Sequence, residues 1–187
     1  MAMYEKTITR KTVYEGVIID VELQDVELPD GRTSIREIVL HGPAVALVVR
    51  RVTDGRFIFI RQFRKALDRI AFEVVAGNCD PGEEPAESAR RELQEETGYR
   101  AARLVPLGAI FPTIGYCTER IDLFYAEVSG QGETAFDHDE QIETVAVTRP
   151  ELEERILSGQ IQDAKTLAAW LLFEKKEAAG ALSAVNG

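Results

Sequence analysis

Gly77-Asn78-Cys79-Asp80-Pro81-Gly82-Glu83-Glu84-Pro85-Ala86-Glu87-Ser88-Ala89-Arg90-Arg91-Glu92-Leu93-Gln94-Glu95-Glu96-Thr97-Gly98-Tyr99 is the stretch that decides how this chain folds. It opens as a turn rich in Gly, Pro and Asx residues. Pro85 suits a first helical position and Gly98 a left-handed stop, which predicts a helix between them. Ala86, Ala89 and Leu93 give that helix an apolar stripe able to anchor it to a sheet. Glu92 and Glu96 lie about 40° apart around the axis, with Glu95 about 60° to the other side of Glu92. Three carboxylates therefore share one face, and like charges at i,i+4 oppose an isolated helix by about 0.2–0.5 kcal/mol per pair. A hard divalent cation such as Mg²⁺ or Mn²⁺, which prefers oxygen ligands, would compensate. An ordinary solvated acidic face with Arg90 and Arg91 as neighbours is the competing reading, and the wider pattern decides between them.

Upstream, Val17, Ile19, Val21 and Leu23 alternate with Ile18, Asp20, Glu22 and Gln24, predicting a strand over 17–28 with a polar face. Asp30-Gly31 reads as a hairpin turn and 35–40 as the return strand, stopped by Gly42-Pro43. The run 44–49 is continuously apolar and rich in Val, as in a strand buried on both faces. A turn at Asp54-Gly55, a strand over 57–61, a loop around 65–69 and the segment 70–76 complete the approach to the helix. Downstream, strands are expected near 102–111, 121–128 and 142–148. A helix opened by Pro150 should run to Leu157, closed by Gly159, with a final helix over 164–177. The small, polar tail 179–187 is expected to fray. Strands, helix, strands, helices in that order indicate an α+β or mixed-sheet sandwich fold.

Composition narrows function further. The 187 residues carry 22 Lys+Arg against 32 Asp+Glu, a formal charge of −10, and 45% are hydrophobic. That is enough apolar material for a core. The acidic balance argues against a general affinity for nucleic acid or an anionic membrane. No apolar run approaches the roughly 20 residues of a spanning helix, and residues 1–16 lack a signal-like apolar stretch. Two cysteines, Cys79 and Cys117, without an export signal point to a reducing cytoplasm, and only His41 and His138 could supply imidazole, so zinc chemistry is disfavoured.

The spacing Gly77, five residues, Glu83, seven residues, then Arg91-Glu92-Leu93-Gln94-Glu95-Glu96-Thr97-Gly98-Tyr99 resembles the Nudix box of the Nudix hydrolase family. Seven fixed positions match, a coincidence expected about once in 10⁸ starting points at average composition. The last position departs from the usual aliphatic residue, with Tyr99 in its place. The resemblance implies the family's α/β/α sandwich with a mixed β-sheet, and Mg²⁺-dependent hydrolysis (Mn²⁺ being possible) of a nucleoside diphosphate linked to another group. By motif position it implies Glu92 and Glu96 as main metal ligands, Glu95 as a further ligand, and the carbonyl of Ala76 as another. Glu83 and Arg91 match a pair that braces the loop against the helix.

Five more pieces resemble the ADP-ribose pyrophosphatase and nucleoside diphosphate sugar hydrolase branch. They are Arg36-Glu37-Ile38-Val39, Arg61-Gln62-Phe63-Arg64, Phe72-Glu73-Val74-Val75-Ala76-Gly77, Gly115-Tyr116-Cys117-Thr118-Glu119 and Asp163-Ala164-Lys165-Thr166. Arg64 is placed to meet a diphosphate, since guanidinium binds phosphate bidentately. Arg61 is ambiguous, and Glu73 either orients an arginine or contacts substrate. Arg36 falls in an antiparallel N-terminal strand unit that the branch swaps between subunits to complete a neighbour's site, which implies a homodimer. The chain then divides into a dimerisation unit at 1–42, a Nudix domain at 43–178 and the tail. In that branch the base that deprotonates water comes from an acidic loop, which the resemblance places at 133–143, with Glu140 favoured by position and Asp139 the near alternative. Glu140 and Glu95 are thus the candidate catalytic carboxylates, and His138 is a bystander in the same loop.

Two departures concern the substrate. The branch often has proline where Val75 stands, and a Ser-Pro-Gly motif associated with ADP-ribose preference where this chain has Thr113-Ile114-Gly115. GDP-mannose or another nucleoside diphosphate sugar is therefore an alternative to ADP-ribose. A non-catalytic nucleotide-sugar sensor and a cleaner of oxidised nucleoside triphosphates are further alternatives, opposed respectively by the intact acidic box and by the N-terminal extension.

Overall fold

The computed structural model describes residues 3–131 and 141–182, which divide into two compact units, 1–43 with 111–120 and 44–110 with 121–187. The first unit is a three-stranded antiparallel sheet, β1 (Lys6–Glu15), β2 (Ile19–Glu27) and β3 (Thr33–His41), in that order. The β2–β3 hairpin turns at Asp30-Gly31 as expected. Gly31 takes a left-handed φ of 83°, and the Asp30 carboxylate accepts the Arg32 N–H at 3.2 Å. Strand β1 is an addition to the sequence reading. Its Thr, Ile, Val and Tyr residues favour extended backbone, but nearly every side chain is exposed, so no apolar face marks it. Its ladder to β2 holds it, reinforced by the Thr9 hydroxyl donating to Asp25 at 2.6 Å. Residues 111–120 join this unit through β3: Val39 N–H donates to the Tyr116 carbonyl at 2.7 Å and Thr118 N–H to the Val39 carbonyl at 3.0 Å.

The second unit is a seven-stranded mixed sheet sandwiched by helices. Its strands are β4 (Ala44–Arg51), β5 (Phe57–Arg64), β6 (Arg69–Glu73), β7 (Val75–Asn78), β8 (Tyr99–Ile110), β9 (Ile121–Gln131) and β10 (Ile142–Val147). They run β10-β5-β4-β9-β8, with β6 beside β5 and β7 beside β4, and only β4 and β9 pair in parallel. Strand β4 is central and buried on both faces, as its apolar run requires. Ala44, Ala46 and Val48 pack with Leu152, Ala169, Trp170 and Phe173 from α2 (Arg149–Leu157) and α3 (Ala164–Ala178). Val45, Leu47 and Val49 pack on the other side with Ala89 and Leu93 from α1 (Pro85–Thr97). The second unit is thus the α/β/α sandwich with a mixed sheet that the sequence implies.

One continuous run in the sequence is broken in the fold. At the fully buried Val74, β6 ends its ladder with β5 and β7 begins one with β4. The Val74 N–H, lost to both ladders, donates instead to the Thr166 hydroxyl at 2.9 Å. A buried N–H without such a partner would cost about 1–3 kcal/mol, so the first turn of α3 is fixed to the break between these strands.

Candidate active site

Helix α1 presents the acidic face, and its ends are set locally. Pro85 occupies the first turn, and Gly98, at a left-handed φ of 71°, closes the last by donating its N–H to the Gln94 carbonyl. Ala89 and Leu93 are fully buried against the sheet. Burying one leucine contributes about 1.5–3 kcal/mol, which fixes the rotation of the helix and therefore the direction of its carboxylates. Glu96 is almost wholly buried and accepts the Ala76 N–H at 3.2 Å, while Glu92 is mostly buried and Glu95 part-exposed.

Arg91 is the hub of this face. Its Nη1 donates to Glu92 at 2.7 Å and to Glu95 at 3.0 Å, and its Nη2 to Glu83 at 3.1 Å and the Asn78 carbonyl at 2.9 Å. The Ser88 hydroxyl and the Asp80 N–H also donate to Glu83. The Arg91 hydrogen bond, with these two, holds the Glu83 carboxyl down at about 2, and the same pairing raises Arg91 far above its ordinary value. The loop 78–83 is thereby bound to the helix, as expected of the Glu83 and Arg91 pair. As they stand, no three of the described His, Cys, Asp and Glu side chains converge to close a metal site. Glu92 and Glu95 instead share the guanidinium of Arg91.

Gly77 shows what the box protects. A Cβ built there would lie 2.0 Å from Glu92 Cδ and within 2.3 Å of both carboxylate oxygens. The missing side chain leaves a cradle in which the Glu92 carboxylate rests against β7, beside Ala76. Glu92, Glu96 and the part-exposed Glu95 offer only oxygen donors on this face, the ligand type that Mg²⁺ or Mn²⁺ prefers. Tyr99, the departure in the box, is buried with its hydroxyl accepting from Arg51 Nη1 at 2.9 Å. A phenol serves at this packing position because that polar tip has a partner.

The second group of charges surrounds Glu73. Along β5, Ile60, Gln62 and Arg64 share one face, and Ile60 packs with Ala89 and Leu93, so Arg64 lies on the side of the sheet that α1 covers. Arg64 feels the charge of Glu96 as well as that of Glu73. Its Nε and Nη2 donate side-on to the two Glu73 oxygens at 2.7 and 2.8 Å, and Lys165 donates to Glu73 as well. Glu73 is only 2% exposed. Burial pushes its carboxyl upward, but the hydrogen bond from Arg64 and the charge and hydrogen bond of Lys165 outweigh this and leave it below the usual carboxylate range. A cavity of about 520 Å³ opens here, lined among others by Arg64, Arg69, Phe72, Glu73 and Lys165.

Arg61 makes an exposed bridge to Glu143 at 2.7 Å. Arg36 belongs to the N-terminal unit, where it forks onto Glu5 at 2.5 and 2.8 Å and also donates to Ser34 and the Ile35 carbonyl. Glu5, which no sequence signal singled out, is its main partner. Glu140, Asp139 and His138 lie outside the described residues. Sequence reasoning missed the part of Lys165 in this group. Its motif, Asp163-Ala164-Lys165-Thr166, was visible, but its contact with Glu73 spans 92 residues.

The NUDIX domain model matches residues 40–170, and the model of the nucleoside diphosphate sugar hydrolase N-terminal domain matches 5–39. The chain is 40% identical to an ADP-ribose pyrophosphatase of Bacillus subtilis (strain 168), over 95% of this chain and 96% of that one. It is 35% identical to a methanol dehydrogenase activator of Bacillus methanolicus, over 93% and 95%. It is also 33% identical to a GDP-mannose pyrophosphatase of Cronobacter sakazakii (strain ATCC BAA-894), over 83% and 84%. A solved structure described as an ADP compounds hydrolase shares the fold, with a TM-score of 0.80 at 22% identity over 94% of this chain and 96% of that one.

Proposed function

The chain belongs to the Nudix hydrolase family, and from that premise we propose that it cleaves the diphosphate linkage of ADP-ribose or a similar nucleoside diphosphate sugar, giving a nucleoside monophosphate and a sugar phosphate. The observation that carries the proposal is the pairing, on one side of the sheet, of the carboxylate face of α1 with the oriented guanidinium of Arg64. Glu92, Glu95, Glu96 and the Ala76 carbonyl would hold Mg²⁺ or Mn²⁺, and the Gly77 cradle supports that assignment. When bound, the cation supplies Lewis acidity toward a phosphoryl oxygen and lowers the pKa of the attacking water.

The remaining steps fall to the chain's own groups. Arg64 receives the diphosphate with the N–H groups that Glu73 leaves over, so Glu73 serves the site by orienting Arg64. Glu140 takes the proton of the attacking water, with Glu95 on α1 as the second candidate carboxylate. Arg36 reaches substrate across a homodimer in which the N-terminal strands are exchanged. The exposed apolar side chains of that unit, among them Tyr4, Ile8, Val13, Tyr14 and Ile35, support such a pairing. Both cysteines are free thiols, which fits a cytoplasmic location.

GDP-mannose, or another nucleoside diphosphate sugar, is the second reading. It is favoured by the relative of that activity and by Ile114, which is 82% exposed where an ADP-ribose enzyme of this branch carries proline. Purified full-length protein incubated with Mg²⁺ and ADP-ribose, GDP-mannose, ADP-glucose, NADH or diadenosine polyphosphates decides the matter. Turnover of ADP-ribose above the others supports the first reading and of GDP-mannose the second. No turnover of any of them by folded protein overturns both.

A further inference from the structure

Arg64 poses an electrostatic problem. A guanidinium bound side-on to its own buried carboxylate is close to a neutral pair, and a neutral pair attracts phosphate weakly. The structure adds a second cation, Lys165, together with a second carboxylate, Asp163, so the four groups stay balanced and what Arg64 offers phosphate is directed N–H donors rather than surplus charge. The Lys165 ammonium donates to Glu73 Oε2, the oxygen that also accepts Arg64 Nη2 at 2.8 Å. Lys165 is 15% exposed and is held from behind by Asp163 at 3.1 Å.

Asp163 is itself fixed. Its carboxylate caps α3 by accepting the Thr166 N–H at 3.0 Å, and it also accepts the Thr166 hydroxyl proton at 2.6 Å. That hydroxyl in turn accepts the Val74 N–H, adjacent to Glu73. The motif Asp163-Ala164-Lys165-Thr166 therefore grips Glu73 twice, through its neighbour's main chain and through its carboxylate.

We propose that Lys165 is a positioning residue for the hydrolysis: with its own charge balanced by Asp163, it pins Glu73 Oε2 and so aims the free edge of the Arg64 guanidinium at the substrate diphosphate. The side-on fork uses Nε and one N–H of Nη2, so the Nη1 edge is the one left for phosphate. The inference rests on the assignment of Arg64 to the diphosphate made above.

The test compares KM and kcat of the full-length, metal-supplied enzyme, on whichever nucleoside diphosphate sugar it turns over best, among wild type, Lys165→Met, Lys165→Arg, Arg64→Ala and the Arg64→Ala/Lys165→Met double variant. Lys165→Met is expected to raise KM roughly tenfold or more, with kcat within about twofold, since one charge-assisted contact is weakened. Lys165→Arg should restore KM. The double variant should match Arg64→Ala alone, because Lys165 acts only through Arg64. If Lys165→Met does not fold, Lys165→Ala replaces it, likewise removing the donor to Glu73. A folded Lys165→Met or Lys165→Ala with wild-type KM, or effects that add fully to those of Arg64→Ala, overturns the inference alone. An unchanged KM in Arg64→Ala overturns the assignment of Arg64 and the inference with it.

Discussion

Two charged clusters on the sandwich are near mirror images. On α1 a single cation, Arg91, serves Glu83, Glu92 and Glu95, with the nearly buried Glu96 beside them. At the β6 end a single carboxylate, Glu73, serves Arg64 and Lys165. The first therefore has carboxylates in excess of its one cation, whereas in the second, where Asp163 balances Lys165, what is left over is the Nη1 edge of Arg64. In the function proposed above, the hub of each cluster is structural and what it leaves over is functional. Arg91 and Glu73 satisfy desolvated partners, while the remaining carboxylates would take a cation and the free guanidinium edge would take phosphate.

The sharpest way to break this comparison is to remove surplus charge from the acidic side. Glu92→Gln should lower kcat on the order of 10²-fold or more, because the cation it is proposed to hold would supply several kcal/mol of transition-state stabilisation. Stability should hardly change. The lost contact to Arg91 at 2.7 Å is offset by relief of repulsion from Glu96, about 0.2–0.5 kcal/mol for an i,i+4 pair. Steady-state kinetics with a Mg²⁺ titration and thermal unfolding of the metal-free protein measure the two halves. A Glu92→Gln protein with near-normal kcat refutes the role given to the acidic face.

Removing a hub should do the reverse. Glu73→Gln leaves Arg64 and Lys165 facing one another without their shared carboxylate, and breaking a buried ion pair costs about 3–5 kcal/mol. Arg64 is 38% exposed and water relieves part of the penalty, so about 3 kcal/mol is expected. For a chain of this size that corresponds to a fall of roughly 6–12 °C in the thermal midpoint. If Glu73→Gln melts like wild type while Glu92→Gln melts early, the assignment of hub and surplus is inverted.

The sequence exposed these clusters unevenly. Helix α1 was legible because Pro85, Gly98 and the Ala89–Leu93 stripe are local signals, and β4 because six apolar residues in a row have few other fates. Strand β1 was not, since a strand exposed on both sides carries no periodicity and depends on its partner β2. The break at Val74 and the charge sharing at Glu73 depend on residues of α3 that lie 92 positions away. Gly77 was readable as part of a motif, yet its physical necessity depends on where the Glu92 carboxylate comes to rest, which only packing decides. Local chemistry showed which residues matter, and long-range contacts assigned their tasks.

The smallest effect concerns the acidic side's own hub. The Glu83 carboxyl is held down from its ordinary value of 4.5 to about 2, chiefly by the hydrogen bond from Arg91 and then by that from Ser88. A depressed carboxylate contributes stability that is fully present above its unfolded-state value and is lost as pH falls through the folded one. The contribution should therefore be intact above about pH 4.5 and gone near pH 2. Urea unfolding of metal-free wild type and Glu83→Gln across that window measures it. The gap between the two proteins should be small, because Glu83 lies near solvent, and should close progressively as the pH falls. A gap that stays constant down to pH 2 would mean that the loop brace depends on packing around Ser88 and Asp80 rather than on the charge that Arg91 carries.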